Sequence, residues 1–170
     1  VSAALAPAMF ALPSYEPFGD ATTAGGTSYT VGNTLIGQMN HEGRQWYQAG
    51  PGTGKQVLIG AGNLSVPGLP ASRGNSLAFG GNGTSARYGL GSIETSGTLY
   101  YSFALQLTDI TGLSTSGVFW AGFNNSGAVS QTGTPSVIAT RLYTKASGSG
   151  FVLGVSKNSS STSDWYWDST

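Results

Sequence analysis

The stretch Gly97-Thr-Leu-Tyr-Tyr-Ser-Phe-Ala-Leu-Gln-Leu-Thr108 alternates apolar and polar side chains along most of its length. In an extended chain, successive side chains point to opposite sides. One face of a strand here carries Leu99, Tyr101, Phe103, Leu105 and Leu107. The other face carries Thr98, Tyr100, Ser102, Ala104 and Gln106. The pattern predicts a half-buried antiparallel strand.

Similar short apolar runs, each bounded by Gly, Ser, Asn or Pro, recur along the chain. They cover residues 45–48, 56–59, 76–79, 86–90, 118–123, 136–144 and 150–156. Apolar residues rarely recur at helical spacing, and 27 glycines interrupt almost every window. The sequence therefore predicts an all-β protein, an antiparallel two-sheet β-sandwich of the jelly-roll type. We expect one domain over residues 12–170.

Composition excludes several classes of function. Only 8% of the 170 residues are charged, and seven acidic and seven basic side chains cancel. No strong field would draw this chain to nucleic acid or to an anionic membrane. There is no cysteine, and His41 is the single histidine, so zinc–thiolate, iron–sulfur and multi-histidine sites within one chain are excluded. We predict no cofactor; calcium is common in such folds, but no Asp-rich loop predicts a site for it.

The first residues, 1–11, are small and apolar. Ala6-Pro-Ala8 fits the small-x-small pattern at the end of a secretory signal. The alternatives are a hydrophobic first strand or an arm that docks on a neighbouring copy. The run is too short to span a bilayer.

Several segments together resemble a group of bacterial exported proteins with a laminin-G-like or concanavalin A-like jelly-roll fold. The segments are 15–20, 63–70, 99–109, 117–125, 141–144 and 154–158. The resemblance implies a secreted or cell-surface protein and supplies no active site. Such domains usually continue with further strands beyond the position of Asp168. We therefore expect either a truncated chain or an open sheet edge that a second copy fills, giving a homo-oligomer.

Two sequence patterns resemble functional motifs, but the residues around them argue against both motifs. Ala49-Gly-Pro-Gly-Thr-Gly-Lys-Gln56 nearly matches a phosphate-binding loop, but Gln56 stands where Ser or Thr should bind magnesium, and a strand-like run follows. His41 with Arg44 and Gln45 supplies the residue types of a polysaccharide lyase, yet the segment is typical of a polar loop. No carboxylate pair has the strand signature of jelly-roll glycoside hydrolases. We predict a non-catalytic protein.

Sugar binding needs only flat aromatic rings for stacking and polar groups for the hydroxyls. Three clusters have this composition. The first is Trp46 and Tyr47 with Arg44 and Gln48, and the second is Trp165 and Trp167 with Asp164 and Asp168. The third is Trp120 with Asn124 and Asn125, where the neighbouring Phe119 and Phe123 favour core packing instead. Trp165 and Trp167 are two residues apart and would share one side of a strand. That pair is either a ligand platform or a buried interface.

The sequence thus supports three hypotheses. The first is a secreted or cell-surface module that binds a polysaccharide or surface glycan. The second is a structural subunit of an extracellular filament or surface layer, assembled by strand addition through the N-terminal arm and an open sheet edge. The third is a polysaccharide lyase or hydrolase.

Overall fold

The chain is all-β in the residues that the computed structural model describes. These are 14–19, 29–50, 52–80, 83–91, 94–125, 134–158 and 161–169. The strands are β1 (Tyr47–Ala49), β2 (Leu58–Gly60), β3 (Ser76–Ala78), β4 (Ser85–Arg87), β5 (Val118–Asn124), β6 (Ile138–Ser147), β7 (Gly150–Ser156) and β8 (Tyr166–Trp167). One 3-10 turn, Thr162–Asp164, is the only helical element in this part of the chain. The predicted N-terminal arm, 1–11, lies outside the described residues.

The described residues form two compact units. The first takes those up to Ala104 together with Thr134, and the second takes Leu105 to Asn125 and those from Pro135 onward. The expectation of a single domain over 12–170 stays a prediction. No helix among the described residues has the length and apolar character needed to cross a membrane.

The first unit holds two short antiparallel ladders, β1 with β4 and β2 with β3. Its core consists of Tyr29, Leu35, Trp46 and Ile59, all nearly inaccessible to solvent. Half-buried apolar residues pack against that core: Phe18, Val57, Leu77, Ala86 and Tyr88. The strands are only three residues long, because glycine, proline and polar turn residues interrupt each apolar run.

The second unit is one antiparallel sheet in the order β5-β6-β7-β8. Its long hairpin joins β6 to β7 through Gly148 and Ser149, and Ser147 pairs with Gly150. Gly148 has a φ of 57°, which two-residue hairpin turns require and glycine adopts without steric cost.

Strand pairing sorts the side chains of this sheet onto two faces. Phe119, Tyr143, Gly154 and Trp167 pair in one row across the four strands and define what we name the Tyr143 face. A second row, Leu142, Val155 and Tyr166, points the opposite way. We name that side the Tyr166 face; Val118, Phe151 and Leu153 belong to it by the same pairing and alternation.

Most predicted strands are confirmed. The structure has strands at 118–124, 138–147 and 150–156, and shorter ones within or beside the other predicted runs. The prediction of a half-buried strand at 98–108 is wrong, since no strand is assigned anywhere in 94–117. Side chains of both predicted faces are exposed there, Tyr100 by 89% and Phe103 by 51%. Alternation fixes which side chains share a side, but a strand also needs a paired neighbour.

Candidate functional site

The first predicted sugar site lies in the core of the first unit. Trp46 is 9% exposed, and its indole Nε1 donates a hydrogen bond to the Tyr29 hydroxyl at 2.8 Å. Its ring meets Tyr88 edge-on, with 4.5 Å between centroids, and lies 6.0 Å from the Phe18 ring. The ring that was expected to stack on a sugar is thus packed against other aromatic residues. We therefore place no ligand on Trp46.

The polar side chains of that cluster, Arg44 and Gln48, also make hydrogen bonds within the protein. Arg44 is buried, donates from Nη1 to the Gly89 carbonyl at 2.9 Å, and pairs with Glu42 at 3.2 Å. The Gln48 amide donates to the carbonyls of Gly50 and Gly52, both at 2.8 Å. These bonds hold the glycine-rich turn after β1. Tyr47, in β1, is half-buried.

A buried polar network beside Trp46 was not predicted. The Glu16 carboxylate accepts hydrogen bonds from the Phe18 backbone N–H at 2.8 Å and from the Tyr29 hydroxyl at 2.9 Å. Burial raises the pKa of Glu16 above its usual 4.5, although these two bonds and the charge of His41 act in the other direction. The pKa of Tyr29 is raised mainly by burial and, to a smaller extent, by the charge of Glu16.

This network positions the segment that carries Glu16. Tyr29 receives one bond from Trp46 and gives one to Glu16, so the three side chains form a chain of hydrogen bonds. Nothing in a single sequence signals that a glutamate and a tyrosine 13 residues apart meet in a core. This network holds parts of the fold together and does not form an open site for a ligand.

The second predicted site lies on the Tyr143 face. Trp165 stacks on Tyr143 with 3.9 Å between centroids and an interplanar angle of 24°, and Trp167 meets Trp165 at 5.6 Å. As the two-residue spacing predicted, both indoles lie on one side. The Lys145 ammonium sits 4.3 Å from the Trp167 ring centroid, a cation–π contact.

Two glycines make room for these indoles. A Cβ on Gly154 would lie 2.5 Å from Trp167 Cε3, and one on Gly117 would lie 2.6 Å from Trp165 Cζ3. Both ring systems therefore pack directly onto backbone. Trp165 and Trp167 are half-buried, and their faces are largely engaged by neighbouring protein atoms.

The accessible aromatic surface lies on the opposite side of the same strand. Tyr166 is 76% exposed and pairs with Val155 in β7. A shallow, open groove of about 330 Å³ runs beside it on the Tyr166 face. Its lining residues are Leu142, Leu153, Gly154, Val155, Tyr166, Trp167 and Asp168.

The groove combines apolar residues, the aromatic residues Tyr166 and Trp167, and one acidic residue. Leu153 and Val155 expose 41% and 38% of their surface, so these apolar residues are open to a ligand. Asp168 is exposed and is the one charged residue among the described residues that line the groove. Asp164, which was predicted to act beside the tryptophans, is exposed in the 3-10 turn and does not line the groove.

The sequence analysis predicted a site around Trp165 and Trp167 and did not single out Tyr166, the exposed ring between them. Tyr166 stands between two predicted site residues, and in a strand the residue between two same-side neighbours points the other way. This alternation was the sequence signal that could have identified Tyr166 as the exposed ring. The Trp46 cluster and the Trp165–Trp167 cluster belong to different units.

The described residues contain no group of three or more His, Asp or Glu side chains that would hold a metal ion. No protein-family model, no curated protein and no solved structure matches the chain.

Proposed function

We propose that this chain is a non-catalytic, secreted or cell-surface module that binds a polysaccharide in the groove on the Tyr166 face. One observation carries the proposal. Tyr166, which is 76% exposed, lines one open groove together with the apolar residues Leu153 and Val155 and the acidic residue Asp168. The jelly-roll arrangement and the export that the sequence resemblance implies belong to the same proposal, and the all-β architecture supports the first of these.

The groove has the chemistry that a sugar ring needs. A pyranose has one face of C–H groups and a rim of hydroxyls, so it fits an apolar aromatic wall with a hydrogen-bond acceptor nearby. The Tyr166 ring and the side chains of Leu153 and Val155 would cover the C–H face, while the carboxylate of Asp168 accepts from hydroxyls. Such sites are apolar with a few placed polar groups.

An open groove with one exposed ring predicts weak binding per sugar. If a bound unit removes about 100 Å² of apolar surface from water, the gain is about 2.5 kcal/mol, before the loss of translational freedom is subtracted. Useful affinity would then come from a polymer that presents many identical units to the protein. This favours a polysaccharide over a free monosaccharide.

The test is affinity electrophoresis of the purified protein in native gels that contain a soluble β-1,4-glucan, hydroxyethyl cellulose. We expect the polymer to retard the wild type and Tyr166→Ala to migrate as if no polymer were present. The matched control is Tyr100→Ala, which removes a tyrosine that is 89% exposed and outside the groove. Equal retardation of both variants would refute binding at Tyr166.

A structural subunit of a filament or surface layer is the second candidate, and the exposed apolar residues of the Tyr166 face favour it. Val118, Phe151, Leu153 and Val155 each expose between 38% and 42% of their surface, and grouped apolar exposure marks interaction surfaces. Electron microscopy of the purified protein without ligand distinguishes the candidates. Ordered filaments or sheets that Leu153→Lys abolishes would establish assembly, whereas dispersed particles would remove it.

A further inference from the structure

Residues 98–104, Thr-Leu-Tyr-Tyr-Ser-Phe-Ala, have the side-chain arrangement of a strand, although no strand is assigned to them. The rings of Tyr101 and Phe103 stack with 5.7 Å between centroids, and side chains two residues apart share a side in an extended chain. All seven residues except Tyr101 are exposed, Tyr100 by 89% and Phe103 by 51%. The segment therefore lies at the surface of the first unit, to which all of it belongs.

One edge of this segment is available for pairing. In a strand, the backbone N–H and C=O groups of alternate residues point to the same edge. The groups on one edge belong to Thr98, Tyr100, Ser102 and Ala104. None of these backbone groups forms a hydrogen bond with another described residue. Edge strands are commonly protected from pairing by Lys or Pro, and residues 98–104 contain neither.

From this edge we propose that the segment pairs with the same segment of a second copy of the chain, in an antiparallel two-fold arrangement centred on Tyr101. Tyr100 then pairs with Ser102 of the other copy. Thr98 pairs with Ala104, and about eight backbone hydrogen bonds join the two copies. The contact does not depend on the binding of a polysaccharide.

The side chains of the segment favour a second copy as the partner. In the same register, Leu99 lies opposite Phe103 of the other copy and Tyr101 lies opposite itself. These are the closely spaced, non-hydrogen-bonded positions, where aromatic and apolar pairs stabilise a sheet. Between Glu94 and Asp109 the sequence has no charged residue, so two copies bring no like charges together. The segment is thus complementary to itself, as a two-fold contact requires.

The expected dimer is weak, because the contact is short. It uses seven residues of each copy, whereas a standard stable interface has roughly 20–30 residues on each side. An isolated pair of strands is also only marginally stable in water. We expect a monomer at about 10 µM and a dimer fraction that grows as the concentration approaches about 1 mM.

Sedimentation velocity over this concentration range measures the association. Ser102→Pro removes a backbone N–H that donates to no described residue and places a ring on the pairing edge. This variant should stay monomeric up to about 1 mM. The matched control, Ser102→Ala, loses only the hydroxyl and should dimerise like the wild type.

Single-cysteine variants test the register, because the chain has no cysteine of its own. Tyr101→Cys places the two thiols directly opposite each other, with Cβ atoms about 4.5–5.5 Å apart, close to the span of a disulfide. Tyr100→Cys places them on a diagonal at about 7–8 Å, which is too far to bridge without backbone movement. Under mild oxidation, Tyr101→Cys should form the covalent dimer at least about ten-fold faster.

The outcomes decide between this contact and others. A wild type that stays monomeric at every concentration would overturn the proposal, as would a dimer that survives in Ser102→Pro. Equal cross-linking of the two cysteine variants would overturn the two-fold register. Association that is lost in Leu153→Lys and kept in Ser102→Pro would place the contact on the Tyr166 face and refute pairing through residues 98–104.

Discussion

Gly154 is the position where one added methyl group should disturb the structure around the groove. It lies in β7, opposite Trp167, and the nearest atoms to a Cβ built on it are three carbons of the Trp167 ring, at 2.5, 2.7 and 2.9 Å. Unbonded carbons pack at about 3.5–4.0 Å, so in Gly154→Ala the indole must move by about 1 Å. That movement disturbs the contact with Lys145 and displaces the β8 strand that carries Tyr166.

The expected cost is worked from two opposing effects. Overpacking a close contact typically destabilises a protein by about 1–3 kcal/mol. Replacing glycine by alanine in a strand recovers about 0.5–1 kcal/mol, because the unfolded chain loses conformational freedom. We expect Gly154→Ala to lower the free energy of unfolding by about 1–2 kcal/mol. With a denaturant dependence of about 2 kcal/mol per M, the urea midpoint falls by about 0.5–1 M.

Urea unfolding followed by tryptophan fluorescence and by circular dichroism measures this change. The matched control is Gly150→Ala in the same strand, where the only atom within 4 Å of a new Cβ is the Ser147 carbonyl oxygen, at 3.8 Å. It should be neutral or slightly stabilising. In a Trp167→Ala background the ring is gone, and Gly154→Ala should no longer destabilise. If Gly154→Ala is as stable as Gly150→Ala, or costs the same without the indole, the packing argument is refuted.

Two further predictions concern the buried network of the first unit. Because burial raises the pKa of Glu16 above 4.5, the folded state binds this proton more tightly than the unfolded state does. The stability from this group is therefore greatest at low pH and is lost as the pH rises from about 4.5 through the folded pKa. Glu16→Gln should remove that part of the decline between pH 4.5 and 7 in urea midpoints, and parallel curves for both proteins would contradict this. Tyr29→Phe leaves the Trp46 indole N–H and the Glu16 carboxylate each without one partner and should cost about 2 kcal/mol at pH 7; a loss under about 0.5 kcal/mol in thermal or urea unfolding would show that these bonds matter little.

The all-β class could be predicted from the sequence because local patterns determine it. Short apolar runs between glycines and polar turn residues predict strands, and the run at 150–156 has the same limits as β7. Pairing is a different matter, because it depends on segments far apart along the chain. The alternation at 98–108 was the most regular strand pattern, yet no strand forms there. The two-residue spacing still brings two side chains together there, since the rings of Tyr101 and Phe103 stack with 5.7 Å between their centroids.

The predicted site at 164–168 and the candidate groove share a segment of the chain, but the sequence did not show which side chains are exposed there. The aromatic and acidic residues at 164–168 stood out because few runs in a chain with 8% charged residues combine both types. The burial of Trp46 was not readable, because it depends on a hydrogen bond to Tyr29, 17 residues away, and on contacts with the rings of Phe18 and Tyr88. Composition indicated which side chains could contact a sugar, and packing determines which of them are exposed.

The two faces of the 165–167 segment explain why an exposed ring and a half-buried pair come from three consecutive aromatic residues. Trp165 and Trp167 pack onto Tyr143 and onto the glycines of neighbouring segments, which fixes the end of the sheet. Because alternation forces Tyr166 to the other side, the same packing holds this tyrosine over the groove on a rigid element. Proteins recognise ligands best from side chains whose backbone is held by the scaffold. In the proposed binding of a polysaccharide, the indoles would act by positioning Tyr166. Removing either indole should therefore weaken polymer binding together with stability, whereas Tyr166→Ala should weaken binding alone.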